Sequence, residues 1–170
     1  NNDPTPTKAL LHIFNGGAKQ VSFDYLKLVL EVVNASSTST NFVAYVDSGS
    51  ASGRTSGGSA ITPSNVKSGG AASDVTVYFG AVVVVSSNPK KVAQWTVRPV
   101  IAVAEDQYTF RFGDAAALPN AATHIGTAIS NLLVQMPPVV LAPGGNFYLC
   151  EANPSGAATA ATYEFEGGFQ

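Results

Sequence analysis

Apolar and polar residues alternate with a period of two along most of the chain, and no stretch carries a convincing helical period. "KALLHIF" (Lys8 to Phe14) stops at Asn15-Gly16-Gly17, a turn signal where positive φ is cheap. In "VSFDYLKLVLEVV", Val21, Phe23 and Tyr25 alternate with Ser22, Asp24 and Leu26. After Leu26 the apolar phase shifts to Leu28, Leu30 and Val32. "NFVAYV", "DVTVYFGAVVVV", "AQWTVRPVIAV", "QYTFRFG", "AISNLLVQM", "VVLA", "NFYLCEA" and "ATYEFEG" follow in order. About nine or ten strands separated by turn residues predict an all-β fold. The architecture expected is an antiparallel two-sheet sandwich of jelly-roll type in a single domain. Only the alanine-rich stretch from Asp114 to Thr127 has room for a short helical turn.

Proline and glycine punctuate this pattern for structural reasons. In Ala142-Pro143-Gly144-Gly145, Pro presets φ at the second turn position and Gly supplies positive φ at the third, as a type II turn requires. Pro137-Pro138 lacks two backbone donors and belongs at a strand boundary or sheet edge, and Asn153-Pro154 closes the next strand.

Two stretches exceed a generic sandwich. "AVVVV" (Ala81 to Val85) has no polar alternation and "LLVQMPPVVLA" has little, although an antiparallel sheet with one wet face should alternate. Cover by a neighbouring subunit explains this, and cover by the chain's own loops is the alternative. The second stretch, Ser48 to Asp74, is rich in Ser, Gly and Ala, with only Ile61 and Val66 able to anchor it. Loops this long are uncommon without a role, and alone it would be mobile, so a fixed shape calls for a partner surface. "SAITPSNV" is a candidate extended rung within it.

Composition narrows the functional classes. The 170 residues suffice for one domain with a real core. Only 12% are charged against 45% hydrophobic, which argues against disorder and leaves a lone monomer with a solubility problem. A net charge of -2 with scattered cations gives no basis for gripping nucleic acid, and Lys90-Lys91 reads as a solvated turn. No apolar run approaches a membrane helix, so no membrane partner is expected. The chain opens at Asn1 rather than Met and shows no signal peptide, so upstream residues are expected to have been removed or to lie outside this sequence.

Candidate chemistry is sparse. The single cysteine, Cys150, excludes an internal disulfide and a multi-cysteine zinc site, and its strand position predicts a buried, inert thiol. His12 and His124 are far apart in sequence, outside any metal-binding motif. No nucleophile elbow or phosphate loop is present. Glu164 and Glu166 share a strand face and Glu105-Asp106 is expected in a hairpin turn, all expected to face water rather than to form a glycosidase pair. Asn34-Ala35-Ser36 matches the short glycosylation sequon. Trp95, Tyr108, Phe110 and Phe112 could build a sugar platform, but their strand period favours core packing. Neither catalytic residues nor a cofactor or metal site is expected.

The order "WTVRPVIAV", "YTFRFGD", "MPPVVLAPGGNFYLCEANPS" and "YEFEGGF", most specific from Arg98 to Phe169 and joined upstream by "SGGSAITPSNV", resembles jelly-roll cement (decoration) proteins of tailed-bacteriophage capsids. That resemblance implies a non-enzymatic virion protein, often a homotrimer, on the exterior of an icosahedral head. There it would stabilise contacts between capsomers of the major capsid protein. The polar arm 1–7, ahead of a jelly-roll domain 8–170, suits an extended segment laid along a partner. Interface candidates are Asn1, Asp3, Pro4 and Pro6 in that arm, Arg54, Ile61 and Val66 in the long loop, and Val83 and Val85 on the apolar strand. The alternative is the carbohydrate-binding head of a phage spike, fibre or lectin.

Overall fold

A computed structural model of the chain describes residues 7–32, 40–49, 51–64, 69–71, 73–97, 107–113, 131–152 and 162–169. The fold is all-β, with no helix among the described residues. The strands are β1 (Lys8–Asn15), β2 (Val21–Val32), β3 (Thr40–Asp47), β4 (Arg54–Ser56), β5 (Ser59–Ile61) and β6 (Val75–Val84). They continue with β7 (Lys90–Val97), β8 (Gln107–Phe112), β9 (Asn131–Met136), β10 (Val140–Leu141), β11 (Asn146–Ala152) and β12 (Thr162–Phe169). Every alternating run in the sequence is represented, the candidate rung in "SAITPSNV" supplies β5, and β4 is added from the same Ser/Gly-rich segment.

Two sheets result. The seven-stranded one runs β4-β6-β1-β11-β3-β7, with β5 also on β6, and the five-stranded one runs β10-β2-β8-β9, with β12 also on β2. The chain divides into two compact units: Asn1–Val21, Phe42–Gln94 and Val140–Ala152, and Ser22–Asn41, Trp95–Val139 and Asn153–Gln170.

In the first unit, β1 lies between β6 and β11, antiparallel to both. The register sets Leu11 and Ile13 beside Leu149, Phe147, Phe79 and Val77 on one face of the sheet. Leu11, Ile13, Phe147 and Leu149 are fully buried, which accounts for much of the unit's stabilisation at about 1.5–3 kcal/mol per large apolar side chain. On the other face His12 stands between Tyr78 and Tyr148. Both faces of β1 are therefore covered, although only the first reads as core in the sequence.

The Ser/Gly-rich segment is not a free loop. β4 and β5 both pair antiparallel with β6, so residues 54–61 form one interrupted edge strand along it. Gly57 and Gly58, both at positive φ (71° and 70°), make the interruption. A Cβ at Gly57 would run into the Ala81 carbonyl, and one at Gly58 would lie 2.6 Å from Val82 Cγ2. The surface that fixes residues 54–61 is β6 of the same chain.

In the second unit β12 and β8 flank β2, each antiparallel to it. Leu26, Leu28 and Phe110 are fully buried on one face, while Glu164 and Glu166 on the other are exposed, as their alternation predicts. The phase shift in β2 has its cause in a register irregularity at Gly168/Phe169, opposite Tyr25 and Phe23. Phe23 joins the buried set, packed on Phe112 and Phe169, and Tyr25 turns outward to donate its hydroxyl to Glu166 Oε1 at 3.1 Å. Lys27 approaches the same carboxylate at 3.6 Å, a surface ion pair that contributes little.

Two sequence expectations need correction. β8 and β9 run parallel, so the second sheet is not wholly antiparallel. A period of two is the same in either direction, so the pattern could not show this. Asn15-Gly16-Gly17 ends β1 as the turn signal predicts, and the chain passes there from one sheet to the other. The glycines there permit close approach, since a Cβ on Gly17 would sit 2.9 Å from Asp74 Cβ. Lys90-Lys91 opens β7 rather than making a turn, although both side chains are exposed. The Pro-Gly turn is as expected: Gly144 has φ 78°, and Gly145 N–H donates to the Ala142 carbonyl at 2.9 Å.

Candidate functional site

The first unit's second face carries an aromatic row with a polar hub at its end. His12 stacks on Tyr148 with ring centroids 5.2 Å apart, and on Tyr78 at 6.3 Å. The Arg54 guanidinium lies 3.9 Å from the centroid of the Tyr78 ring, a cation–π contact that closes the row, while its Nε donates to the Gly57 carbonyl at 2.9 Å.

The hub is Asn146, the first residue of β11. Its Oδ1 accepts the Gly53 N–H at 3.0 Å, and its Nδ2 donates to the carbonyls of Ala51 and Gly144 at 3.1 and 3.3 Å. Those three bonds fix the orientation of the amide. His12 Nε2, 3.0 Å from the same Oδ1, must therefore carry the ring hydrogen and donate it. Nδ1 is then a bare lone pair, buried and without a hydrogen-bond partner among the described residues. Burial holds the imidazole below its ordinary range. The Arg54 charge works in the same direction, and the Asn146 bond opposes both. One buried amide thus ties together β1, the 51–53 segment and the Pro-Gly turn.

Asp47, at the end of β3, does the same for the neighbouring loops. Its Oδ2 accepts the Ser87 and Asn88 amides at 2.9 and 3.4 Å, and its Oδ1 accepts the Gly49 amide at 3.1 Å. Asp47 and Asn146 border a cleft of about 300 Å³, with Tyr148, Gly53, Val85 and Ser87 also among its lining residues. The carboxylate and the amide at its rim are already engaged by the chain's own backbone.

The Tyr148 hydroxyl is buried with no hydrogen-bond partner among the described residues, and burial raises its pKa, with the Asp47 carboxylate adding to the effect. A Cβ on Gly53 would overlap that oxygen. Removing an unsatisfied buried hydroxyl removes a desolvation cost, so Tyr148→Phe should leave stability unchanged or raise it by about 1 kcal/mol. Urea denaturation checks this, and a loss of more than about 1 kcal/mol would assign the hydroxyl a hydrogen bond.

Cys150 is buried in the same cluster as Tyr148, Tyr45, Val43 and Val84, and burial pushes its thiol up to about 12, the inert state expected of it. Among the described residues no group of three His, Cys, Asp or Glu could hold a metal ion.

The interface candidates are dispersed. Val83 and Val85 are exposed, at 37% and 67%, between and beyond the buried Val82 and Val84. Burial along this strand therefore alternates where the sequence does not. Arg54 is half-buried over Tyr78, and Ile61 is half-buried opposite Val77. Asn1, Asp3, Pro4, Pro6 and Val66 lie outside the described residues, as do His124, Glu105, Asp106, Asn34, Asn153, Pro154 and the stretch 114–127. The side chains of Trp95 and Tyr108 lie outside them too, whereas Phe110 and Phe112 are buried as core residues.

Asn146, Asp47 and Gly53 were not singled out in the sequence. Their signal is a polar residue inside or bounding an apolar strand: His12 in "ALLHIF", Asp47 after "NFVAYV", Asn146 before "FYLC". Such residues are buried only with partners, and the partners come from elsewhere in the chain. No protein-family model matches the chain, and neither a curated protein nor a solved structure does.

Proposed function

We propose that this protein is a structural virion component of the capsid-cement type. In this reading a jelly-roll homotrimer binds the exterior of a tailed-phage head and stabilises contacts between capsomers of the major capsid protein. The observation that carries the reading is the pair Val83 and Val85, exposed on β6 and immediately after it in a chain with only 12% charged residues. Ala81 and Thr55 beside them are exposed as well, so a small apolar strip borders the edge strand. Apolar area left on a subunit with few charges favours association, and many modest contacts repeated around a symmetric shell gain strength through effective concentration. The sugar-binding alternative needs an exposed aromatic platform. It draws no support from Tyr45, Tyr148 and Tyr163, which are buried, or from Tyr78 beneath Arg54.

The test is sedimentation of the purified chain, alone and with expanded heads of the phage that encodes it. The expected result is a trimer that co-pellets with heads. The double substitution Val83→Asp and Val85→Asp, on exposed positions, should leave the fold intact and lower head binding by at least tenfold. A wild-type monomer that never pellets with heads would overturn the proposal.

A further inference from the structure

We propose that residues 51–58 form an acid-released clasp: protonation of His12 frees this segment from the tyrosine face of the first sheet and bares the edge of β6. The segment is held there by few bonds. Gly53 N–H donates to Asn146 Oδ1 at 3.0 Å, Ala51 accepts from Asn146 Nδ2 at 3.1 Å, and the Gly53 carbonyl accepts the Val85 amide at 2.7 Å. Beyond Gly53, Thr55 Oγ1 donates to the Val83 carbonyl at 3.2 Å, and β4 pairs with β6 at Arg54 and Ser56 across a register irregularity. Two of these contacts end on the Asn146 amide that also receives the His12 hydrogen.

Neutral His12 fits this site, because its only hydrogen already has an acceptor. A second proton would go on Nδ1, which faces no acceptor among the described residues. The charge would sit fully buried, and a buried, incompletely hydrogen-bonded cation is costly. The surrounding groups do not offset it. Arg54, from β4, is cationic and opposes the charge. Burial holds Tyr148 and Cys150 from β11 in their neutral forms, and Tyr78 from β6 meets the imidazole with its ring face. Asp47, from β3, borders the cleft beside Tyr148, but its carboxylate already accepts backbone amides. On β1 itself Lys8 is exposed. Relief comes from admitting water, and the 51–58 edge segment is the cover whose bonds end on the same Asn146 amide that holds His12. Gly53 lies against Tyr148 and Gly58 against Val82 and Tyr78, so release uncovers those side chains and an unpaired row of β6 backbone groups.

The sign follows from linkage. The open form binds the proton near the ordinary histidine value of 6.5, and the closed form binds it only at lower pH. Closure is thus fully favoured above about 6.5 and weakens as pH falls. Opening grows at most about tenfold per pH unit until the closed form's own lower value is passed.

Hydrogen exchange of the full chain, corrected for intrinsic rates, at pH 7.5 and 5.0 tests this. The Gly53 and Val85 amides should lose at least tenfold protection at the lower pH while Leu11 and Phe147 keep theirs. In His12→Gln, which retains an N–H donor, that step should vanish. Equal corrected protection at both pH values, or an undiminished step in H12Q, would overturn the clasp. Ring ¹⁵N NMR of the wild-type chain is the second readout, independent of the variant. The Nε2–H tautomer with a midpoint below 6.5 is expected, and an Nδ1–H tautomer or a midpoint at or above 6.5 would equally overturn it.

Discussion

Asn146→Ala is expected to destabilise the first unit by about 3 kcal/mol. The wild-type side chain makes four hydrogen bonds: from His12 Nε2 and Gly53 N–H to its oxygen, and from its nitrogen to the Ala51 and Gly144 carbonyls. Truncation strands two donors and two acceptors, and at least the His12 hydrogen is left in a fully buried place. Net hydrogen bonds contribute about 1 kcal/mol each, with more lost when a buried partner is left unsatisfied. Water entering from the adjoining cleft recovers part of that loss, which keeps the total nearer 3 than 6 kcal/mol. Urea denaturation gives the magnitude. Hydrogen exchange should show the largest loss at Gly53 and Val85, since the Val85 amide is bonded to Gly53. Asn146→Asp keeps the acceptor for His12 and Gly53 but sets a carboxylate oxygen against the Ala51 and Gly144 carbonyls, so it too should be destabilised. A change below about 1 kcal/mol for Asn146→Ala would mean the amide is not the hub described.

The second large effect is expected for Phe110→Ala, at about 3–5 kcal/mol, the range for a large aromatic truncated in a core. Phe110 is fully buried in the middle of β8, opposite Leu26 of β2 on one side and Val134 of β9 on the other. Both neighbouring strands are hydrogen-bonded to β8, so their backbones cannot move in to fill the cavity left by the ring without losing register. Phe110→Leu should recover more than half of the loss. Tyr25→Phe, on the exposed face of the same sheet, is the control and should match wild type within error, since its hydroxyl only meets the exposed Glu166. Because Asn146 and Phe110 lie in different compact units, residue-resolved exchange reads the two effects separately. A Phe110→Ala variant with wild-type stability would contradict the buried position of β8.

Residue chemistry alone carried the all-β class, the strand inventory, the turn at Ala142–Gly145, the inert Cys150 and the outward Glu164 and Glu166. These follow from side-chain period, from the φ preferences of Pro and Gly and from burial of apolar groups, all local properties of the chain. Partner choice was not local. The parallel course of β8 and β9 leaves no mark on a period of two. The outward turn of Tyr25 depends on where β12 slips against β2. The Ser/Gly-rich segment looked free because its binding surface, β6, comes later in the chain. His12, Asp47 and Asn146 were each visible as polar residues beside apolar runs, but only the folded chain shows why they are tolerated. Hydrogen-bond partners more than 90 residues apart meet at one place, and a buried polar group is stable only where such partners converge.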